Sequence, residues 1–354
     1  MIRKLNDVRD QIEDICKKPD QRGEFTGFHG LDKIFTVKQG SFSCFLGAPG
    51  HGKSELIFEL CMNQTAQYGK RHMIYSPETG SAADIMLELG HKYCGKPLYQ
   101  TSYYADYCTE KERAMALEWV DHHFLIQDGE QEAMSFEELC EELLKEEKDS
   151  KQKIHTLMAE PYNELKHDKM FVYGSRQDLY IESFMSEVRR FTKKHNKHVF
   201  LSFHPGHQEK VTKTFEKRQF SYYPMPLARQ AAGGQAALRK AMTWINIWRP
   251  HTNLKNAYNE HYKNNEVVIA VEKAKPKGVS FRGEMSLFFD WKKNRYYEEM
   301  SNIPLYAFDH QKEYKSLGAQ TIVQQLEAVD MVEETDLFAN LTVLETDIDP
   351  DSPF

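Results

Sequence analysis

The sequence predicts an α/β fold in which a mainly parallel central sheet continues into an antiparallel extension. In the first two thirds of the chain, short apolar strand patterns alternate with helical patterns, which is typical of a parallel sheet. The last third holds a succession of strands with little helix between them, which indicates antiparallel pairing. A glycine-rich stretch separates the first strand from the helix after it. The predicted strands cover residues 41–46, 72–75, 154–159, 198–203, 243–248, 267–271, 285–289 and 295–297.

The glycine-rich stretch has the pattern of a phosphate-binding loop. Residues 47–54, GAPGHGKS, match G-x-x-x-x-G-K-[ST] at every fixed position, and a helix is predicted over residues 55–68. A strand, a glycine turn and a helix N-terminus together aim backbone N–H groups and partial positive charge at an anion. A chance match is the alternative, and the flanking strand and helix argue against it. We expect Lys53 to reach the β- and γ-phosphates and Ser54 to ligate Mg²⁺. The residues expected to contact ATP or another nucleoside triphosphate are Gly47, Ala48, Pro49, Gly50, His51, Gly52, Lys53 and Ser54.

Polar side chains follow three other predicted strands. Glu78 comes after the strand at 72–75, Glu160 after the strand at 154–159, and His204 after the strand at 198–203. The carboxyl ends of parallel strands meet at one edge of a sheet, where ligands bind. Glu78 is placed there to orient water against a γ-phosphate, and Glu160 to hold Mg²⁺ together with Ser54. A lone histidine is more often a core residue, but the position of His204 at this edge favours a functional role.

Residues 206–235 are too polar and too rich in Gly and Pro to predict a packed element, and too long for an idle connection. Basic and aromatic side chains alternate along this segment. Such a composition suits single-stranded nucleic acid, because cations follow the phosphates and rings stack on the bases. A solvated surface loop fits equally well, and the sequence leaves both interpretations open. The candidate DNA contacts are Lys210, Lys213, Lys217, Arg218 and Arg229, interleaved with Phe215, Phe220, Tyr222 and Tyr223.

The bulk composition is that of an ordinary soluble protein. The 354 residues can form one large α/β domain with appendages, or two small domains. No run approaches the roughly 20 apolar residues that a membrane span needs, and the first residues lack the apolar segment of a secretory signal. The six cysteines include no C-x-x-C pair, which favours reduced thiols over disulfides or a zinc site. We therefore expect a cytoplasmic protein with no membrane partner.

The two ends of the chain differ in composition from the middle. Residues 2–18 carry an apolar stripe at helical spacing, which must be buried in the chain's own core or on a neighbouring subunit. Residues 327–354 contain nine acidic residues and no Lys, Arg or His, so the net charge of −7 becomes −7 + 9 = +2 for the rest of the chain. Such a near-neutral body can still carry a basic groove for nucleic acid. The predicted organisation is a linker helix over 1–20, a core over 21–315 and an acidic, flexible tail over 316–354.

These motifs, in this order, resemble the RecA-fold core of hexameric replicative helicases of superfamily 4, the DnaB-type and Twinkle-type enzymes, and especially their phage members. The resemblance covers roughly residues 24–298, and only one helix precedes it in place of the family's primase-like half. It implies a RecA-like P-loop NTPase core that uses ATP and Mg²⁺, forms a homo-oligomeric ring, usually a hexamer, and translocates on single-stranded DNA. A phage member would work in the host cytoplasm. The matching motifs are TGFHGLD (26–32), GAPGHGKS (47–54), YSPE (75–78), MAEPYN (158–163), FHP (203–205), GGQ (233–235) and VEKAK (271–275).

The resemblance also implies roles for residues outside the phosphate-binding loop. Arg249 falls where the family places an arginine against the nucleotide base. Lys273 and Lys275 match a K-x-R pattern that reaches the neighbouring subunit's nucleotide in trans. Gln235 and Arg239, in the stretch before the fifth strand, are further candidates for DNA binding.

Three residues depart from the family pattern. Glu160 stands in place of the usual Asp, Met242 stands where Asp is common, and Lys275 stands where an arginine finger is expected. A lysine ammonium cannot make the bidentate contact of a guanidinium. Together the departures are compatible with a weak ATPase. The alternative function is therefore an ATP-gated, RecA-like recombinase or loader that binds single-stranded DNA and unwinds little.

The acidic tail ends in Pro353-Phe354. This ending resembles the acidic tips of single-stranded-DNA-binding proteins and the tails of some phage helicases. The resemblance implies that the terminal ring and α-carboxylate dock into a basic pocket of a polymerase, a primase or a single-stranded-DNA-binding protein. The alternative is that the tail folds back on the chain's own basic loop and competes with DNA.

Overall fold

The computed structural model describes residues 4–17, 22–128 and 132–308. Its helices are α1 (Arg9–Lys17), α2 (His29–Ile34), α3 (Lys53–Tyr68), α4 (Ala82–Cys94), α5 (Glu110–His123), α6 (Phe136–Ser150), α7 (Gln177–His195) and α8 (Gln235–Lys240). Its strands are β1 (Ser41–Leu46), β2 (His72–Tyr75), β3 (Phe124–Ile126), β4 (Thr156–Ala159), β5 (His198–Phe203), β6 (Val211–Phe215), β7 (Arg218–Tyr222), β8 (Thr243–Trp248), β9 (Glu266–Lys273), β10 (Gly283–Asp290), β11 (Arg295–Met300) and β12 (Ile303–Leu305). Short 3₁₀ helices cover Leu5–Asp7, Tyr162–Glu164, Asp168–Tyr173 and Ala228–Gln230.

One sheet of ten strands forms the centre of the fold, in the order β12-β11-β10-β9-β8-β1-β5-β4-β2-β3. Every neighbouring pair from β3 to β8 is parallel, and every pair from β8 to β12 is antiparallel. The α/β fold class, with its parallel sheet and antiparallel extension, is therefore confirmed. All six residues of β1 and of β5 are buried, because helices cover both faces of a parallel sheet.

Two apolar cores lie on opposite faces of the sheet. Alternate residues of a strand point to opposite faces, and in β1 the ring of Phe45 joins one core while that of Phe42 joins the other. The Phe45 core includes apolar residues of α3, α4 and α5. The Phe42 core includes those of α6, α7 and α8. This two-sided packing holds the parallel strands in one register, so their carboxyl ends meet at a common edge.

Buried ion pairs tie α3 to the antiparallel part of the sheet. Nε of Arg295 on β11 lies 2.7 Å from Oε1 of Glu59 on α3, and both side chains are buried. The fully buried Lys92 of α4 pairs with Glu55 of α3 and donates to the carbonyl oxygen of Asn294 at 2.8 Å. Removing one partner of a pair as buried as Arg295–Glu59 typically costs about 3–5 kcal/mol. Since α3 starts in the phosphate-binding loop, these contacts also fix the loop relative to β11.

The hairpin formed by β6 and β7 corrects the expectation that residues 206–235 hold no ordered element. The two strands pair antiparallel, with Lys213 opposite Phe220. Glu216 and Lys217 make the turn with left-handed φ values of 48° and 66°. The residues of β6 are nearly all exposed, so the hairpin lacks the buried apolar face from which a strand is predicted. The short strands β3 and β12 also lie outside the predicted set.

The ends of the chain are described in part. The helix expected over residues 2–18 is seen as α1 behind a 3₁₀ turn, and Leu5 and Ile12 are 57% and 43% exposed. The described chain therefore leaves that apolar stripe largely at its surface. Residues 309–354, with the acidic tail and Phe354, lie outside the described residues, and the domain limits 1–20, 21–315 and 316–354 stay predictions. In the described ranges, no helix is both long enough and apolar enough to cross a bilayer.

Candidate nucleotide-binding site

The phosphate-binding loop joins the end of β1 to the start of α3. Gly50 and Gly52 have φ values of 74° and 87°, in the left-handed region that favours glycine. At Gly47 an added Cβ would lie 2.9 Å from the carbonyl oxygen of Ile247. The shape of the loop therefore requires its glycines. Its backbone ends at the N-terminus of a 16-residue helix, where free N–H groups and partial positive charge attract phosphate.

His204 links Lys53 to Glu78. Nζ of Lys53, the first residue of α3, lies 3.2 Å from Nδ1 of His204, which directly follows β5. Nε2 of the same ring lies 2.8 Å from Oε2 of Glu78, beyond the end of β2. An ammonium group can only donate, so Nδ1 accepts from Lys53 and the ring proton sits on Nε2, where it donates to Glu78. The imidazole thus holds the candidate base and the candidate phosphate-binding lysine in one arrangement.

Glu160 lies behind the loop, directly after β4. Its Oε1 accepts a hydrogen bond from the hydroxyl of Ser54, whereas Oε2 has no hydrogen-bond partner of normal geometry among the described residues, although the Ser202 hydroxyl lies near enough to oppose the rise in the pKa of Glu160. The side chain is 1% exposed, and this burial raises its pKa to about 7 against the opposing effects of the Ser54 hydrogen bond and the Lys53 charge. A buried carboxylate oxygen without a partner, beside a hydroxyl, fits a divalent cation.

This donor set suits Mg²⁺ in particular. The described residues hold no group of three or more His, Cys, Asp or Glu side chains that could bind a metal alone. Magnesium does not need one, because it takes one or two protein oxygens and fills its other positions with substrate phosphates and water. Ser54 and Glu160 therefore fit the metal of a nucleotide complex.

The overall fold is similar to that of known helicase domains. No family model matches the chain. The structure is similar to the ATPase domain of G40P, with a TM-score of 0.62 and 14% identity over 84% of this chain and 99% of that one. It is also similar to a DnaB-like replicative helicase whose structure addresses its interactions with primase, with a TM-score of 0.61 and 16% identity over 84% of this chain and 68% of that one. The chain has the fold of a DnaB-like helicase ATPase domain.

A similarity in sequence points the same way. The chain is 25% identical over 185 residues to the Twinkle homolog protein, chloroplastic/mitochondrial, of Arabidopsis thaliana. That match covers 52% of this chain and 26% of the relative, so the chain spans about a quarter of the relative's length. The resemblance to DnaB-type and Twinkle-type helicases, expected from the motifs, is confirmed.

On this DnaB-like fold, Arg249 directly follows β8 and lies beside the phosphate-binding loop. Its backbone N–H donates to Nδ1 of His51 at 3.4 Å, and its guanidinium donates to the carbonyl oxygen of Asn264 at 3.0 Å. Burial, together with the positive charges of Lys53 and Arg249, lowers the pKa of His51 to about 4. His51 is therefore neutral near pH 7 and can accept from Arg249. The contact of Arg249 with a nucleotide base stays a prediction.

Lys273 and Lys275 lie away from the chain's own loop. Lys273, at the end of β9, pairs with Trp244 near the start of β8, whereas Arg249 follows the end of β8. Five strand residues at about 3.3 Å each separate these levels by roughly 17 Å. Lys273 donates to the carbonyl oxygens of Leu238 and Arg239 at 2.5 and 2.8 Å. Its pKa is lowered to about 8 by burial and then by the charges of Lys275 and Arg189.

The basic residues in and beside the hairpin are exposed, and the rings interleaved with them are half-buried. Nζ of Lys210 lies 5.1 Å from the ring centre of Tyr223, and Nζ of Lys213 lies 5.6 Å from that of Tyr222. Lys217 and Arg218 are exposed at the turn. The interleaving of cations and rings predicted from the sequence is thus present in space, and DNA contact by these residues stays a prediction.

The other candidates for DNA contact lie after the hairpin. Arg229 and Gln235 are exposed, in the 3₁₀ helix Ala228–Gln230 and at the start of α8. Arg239 is also exposed, but its guanidinium lies 3.7 Å from the carboxylate of Glu182 on α7. Any DNA contact by Arg239 would have to compete with this ion pair.

Two kinds of contact at the site carry no sequence signal. The first holds the hairpin: Phe220 stacks on His251 with 4.5 Å between ring centres, and Phe215 meets His261 edge-on at 5.3 Å. The second holds the loop: Tyr296 of β11 donates its hydroxyl to the carbonyl oxygen of Gly52 at 3.2 Å. Each joins segments that are distant in the chain, and no local motif marks either of them.

Proposed function

We propose that this protein is an ATP-dependent, ring-forming replicative DNA helicase that translocates on single-stranded DNA. The observation that carries the proposal is the convergence of five side chains at the edge where the parallel strands end. The shared fold with DnaB-like helicase ATPase domains supports it. The converging residues are Lys53, Ser54, Glu78, Glu160 and His204.

Each of these residues has a role that follows from its chemistry. The loop N–H groups and Lys53 bind the phosphates of the nucleotide. Glu78 orients the attacking water and accepts its proton, and His204 keeps Glu78 in place. Ser54 and Glu160 hold Mg²⁺, which supplies positive charge against the phosphates when it is bound.

Coupling to DNA follows from the position of His204 in the chain. Only residues 205–210 separate it from β6, so a displacement of its ring can reach the hairpin through a short segment. A hexameric ring with Lys273 and Lys275 acting on the neighbour's nucleotide belongs to the same proposal. So do a cytoplasmic location and a polymerase, primase or single-stranded-DNA-binding protein as partner of the tail.

The test is the loss of activity in Lys53→Ala. Wild type should hydrolyse ATP in the presence of Mg²⁺, accelerate with single-stranded DNA and displace a strand from a forked duplex. The Lys53→Ala variant should lose all three activities, because no other cation in the described loop reaches the phosphates. Lys70→Ala removes a lysine just beyond the far end of α3, where it pairs with Glu24, and should retain them. Unchanged hydrolysis by Lys53→Ala would refute the proposed site.

A second candidate function, an ATP-gated DNA-binding recombinase or loader with little unwinding, rests on the trans residues. Lys275 is a lysine where a guanidinium is expected, and the ammonium of Lys273 is held by two carbonyl oxygens at the end of α8. Both features favour slow hydrolysis. ATP-dependent binding of single-stranded DNA without strand displacement in the same assay would select this function.

A further inference from the structure

Tyr296 fits closely against the last glycine of the phosphate-binding loop. Its side chain is 1% exposed, and its hydroxyl lies 3.2 Å from the carbonyl oxygen of Gly52. A Cβ added to Gly52 would lie 2.3 Å from that hydroxyl oxygen. The contact is therefore a hydrogen bond and a steric fit at once, between a strand of the antiparallel extension and a loop 244 residues earlier in the chain.

The orientation of the Gly52 carbonyl group determines the orientation of the next N–H group. In a trans peptide the C=O and the following N–H point in opposite directions within one plane. The Gly52 oxygen also accepts the first helical hydrogen bond of α3, from the N–H of Leu56 at 3.0 Å. Two donors thus hold this oxygen, and they turn the N–H of Lys53 away from β11. That N–H belongs to the first residue of α3, where helices have no internal acceptor to offer.

We propose that Tyr296 is a positioning residue for nucleotide binding, which acts by holding the Gly52–Lys53 peptide so that the Lys53 N–H points into the phosphate site. This inference rests on the proposed function, since it deepens the role of the same loop. Tyr296 does not touch the nucleotide. It acts from behind the loop, on a strand that is itself tied to α3 by the buried pair of Arg295 and Glu59.

The neighbouring residue of β11 offers a matched control. Tyr297 accepts a hydrogen bond from the Asn265 side chain at 3.0 Å, on the other face of the strand from Tyr296. Tyr296→Phe and Tyr297→Phe each remove one hydroxyl from adjacent positions, but only the first removes a contact with the loop. We would measure the dissociation constant for ADP with Mg²⁺ by calorimetry, the KM and kcat for ATP, and the unfolding temperature of each variant.

Tyr296→Phe should weaken ADP binding roughly three- to tenfold, as expected for one lost hydrogen bond, and raise the KM for ATP by a similar factor with kcat nearly unchanged. Tyr297→Phe should bind ADP like wild type, even if both variants unfold at the same lowered temperature. Equal ADP affinity in the two variants would overturn this inference alone. Absence of nucleotide binding by wild type would overturn the proposed function, and this inference with it.

Discussion

Replacing His204 by alanine tests whether the Lys53–His204–Glu78 chain works as a unit. The ring accepts from Lys53 at 3.2 Å and donates to Glu78 at 2.8 Å, and alanine removes both contacts. The carboxylate of Glu78 is about half exposed, so without the imidazole it is free to turn into solvent. We therefore expect His204→Ala to lower kcat while Lys53 still binds the phosphates.

The size of the effect follows from the strength of the broken contacts. A hydrogen bond to a charged group is worth about 1.5–3 kcal/mol, which corresponds to a loss of roughly 10- to 100-fold in kcat. Glu78→Gln should lose more, about 10²–10⁴-fold, since it removes the base itself. His204 acts through Glu78 in this scheme. The double variant should therefore be no slower than Glu78→Gln, and the cycle should give a coupling of about 1.5–3 kcal/mol.

The assay is steady-state ADP release at saturating ATP and Mg²⁺, with ADP affinity measured alongside. His207→Ala is the control, because His207 is exposed and pairs only with Glu209 among the described residues, at 3.4 Å. It should retain wild-type kcat. Additive losses in the double variant would refute the linked arrangement. Wild-type hydrolysis by Glu78→Gln would show that another carboxylate is the base, with Glu160 the first to test.

Three further predictions concern the subunit interface, the hairpin and the core. Mixing Lys53→Ala subunits with Lys275→Ala subunits should restore part of the hydrolysis that each lacks alone, because hybrid interfaces combine an intact loop with an intact Lys275; a monomer with full ATPase activity in sedimentation experiments would contradict this. Each hairpin cation that contacts a DNA phosphate should, when changed to Glu, flatten the dependence of log affinity on log salt by roughly 0.7. Unchanged DNA affinity after charge reversal at all four positions would show that the hairpin is a solvated surface element without a role in DNA binding. These four are Lys210, Lys213, Lys217 and Arg218. Burial raises the pKa of Asp32 from its ordinary 3.8 to about 7, so the stability that this group contributes is complete below about pH 4 and is lost as the pH rises to about 7, by up to about 4 kcal/mol. Asn can still accept both hydrogen bonds from Thr26 and does not titrate, so the free energy of unfolding of Asp32→Asn, measured with urea, should rise relative to that of wild type between about pH 4 and 7. Parallel pH profiles of the two proteins would show that Asp32 does not titrate in this range.

The edge where the parallel strands end was predictable because its side chains follow apolar strands, directly in the case of Glu160 and His204 and after two intervening residues in the case of Glu78. Parallel strands end at one edge, so Glu78, Glu160 and His204 could be placed beside the loop before their distances were known. The strands themselves carry strong signals, since β1 and β5 are buried along their whole length. Local pattern and global fold agree at these positions.

There is a physical reason why the sequence did not predict the hairpin or the contacts that hold the phosphate-binding loop against β11. Strands β6 and β7 have no buried face, so the hairpin is held in place by contacts such as that of Phe220 with His251, a residue well outside the hairpin. The contact of Tyr296 with Gly52 and the pair of Arg295 with Glu59 join β11 to segments more than two hundred residues away. A tyrosine in a strand pattern predicts only a buried side chain. The partner of its hydroxyl group depends on tertiary packing, which the local pattern does not specify.

The position of the two lysines bears on how copies of the chain would assemble. Lys275 is exposed, and Lys273 lies roughly 17 Å along the strands from the level of Arg249, which is beyond the reach of a lysine side chain. Lys273 therefore cannot reach a nucleotide bound at its own copy's loop, and Lys275 continues the chain beyond the same end of β9. A second copy placed head to tail would bring the end of its β9, with Lys273 and Lys275, against the phosphate-binding loop of the first copy. Such a heterologous contact, repeated, produces a ring when the rotation closes and a helical filament when it does not. We expect the largely exposed stripe of α1 to form a second contact between neighbours, so deleting it should weaken assembly and leave the phosphate-binding loop intact.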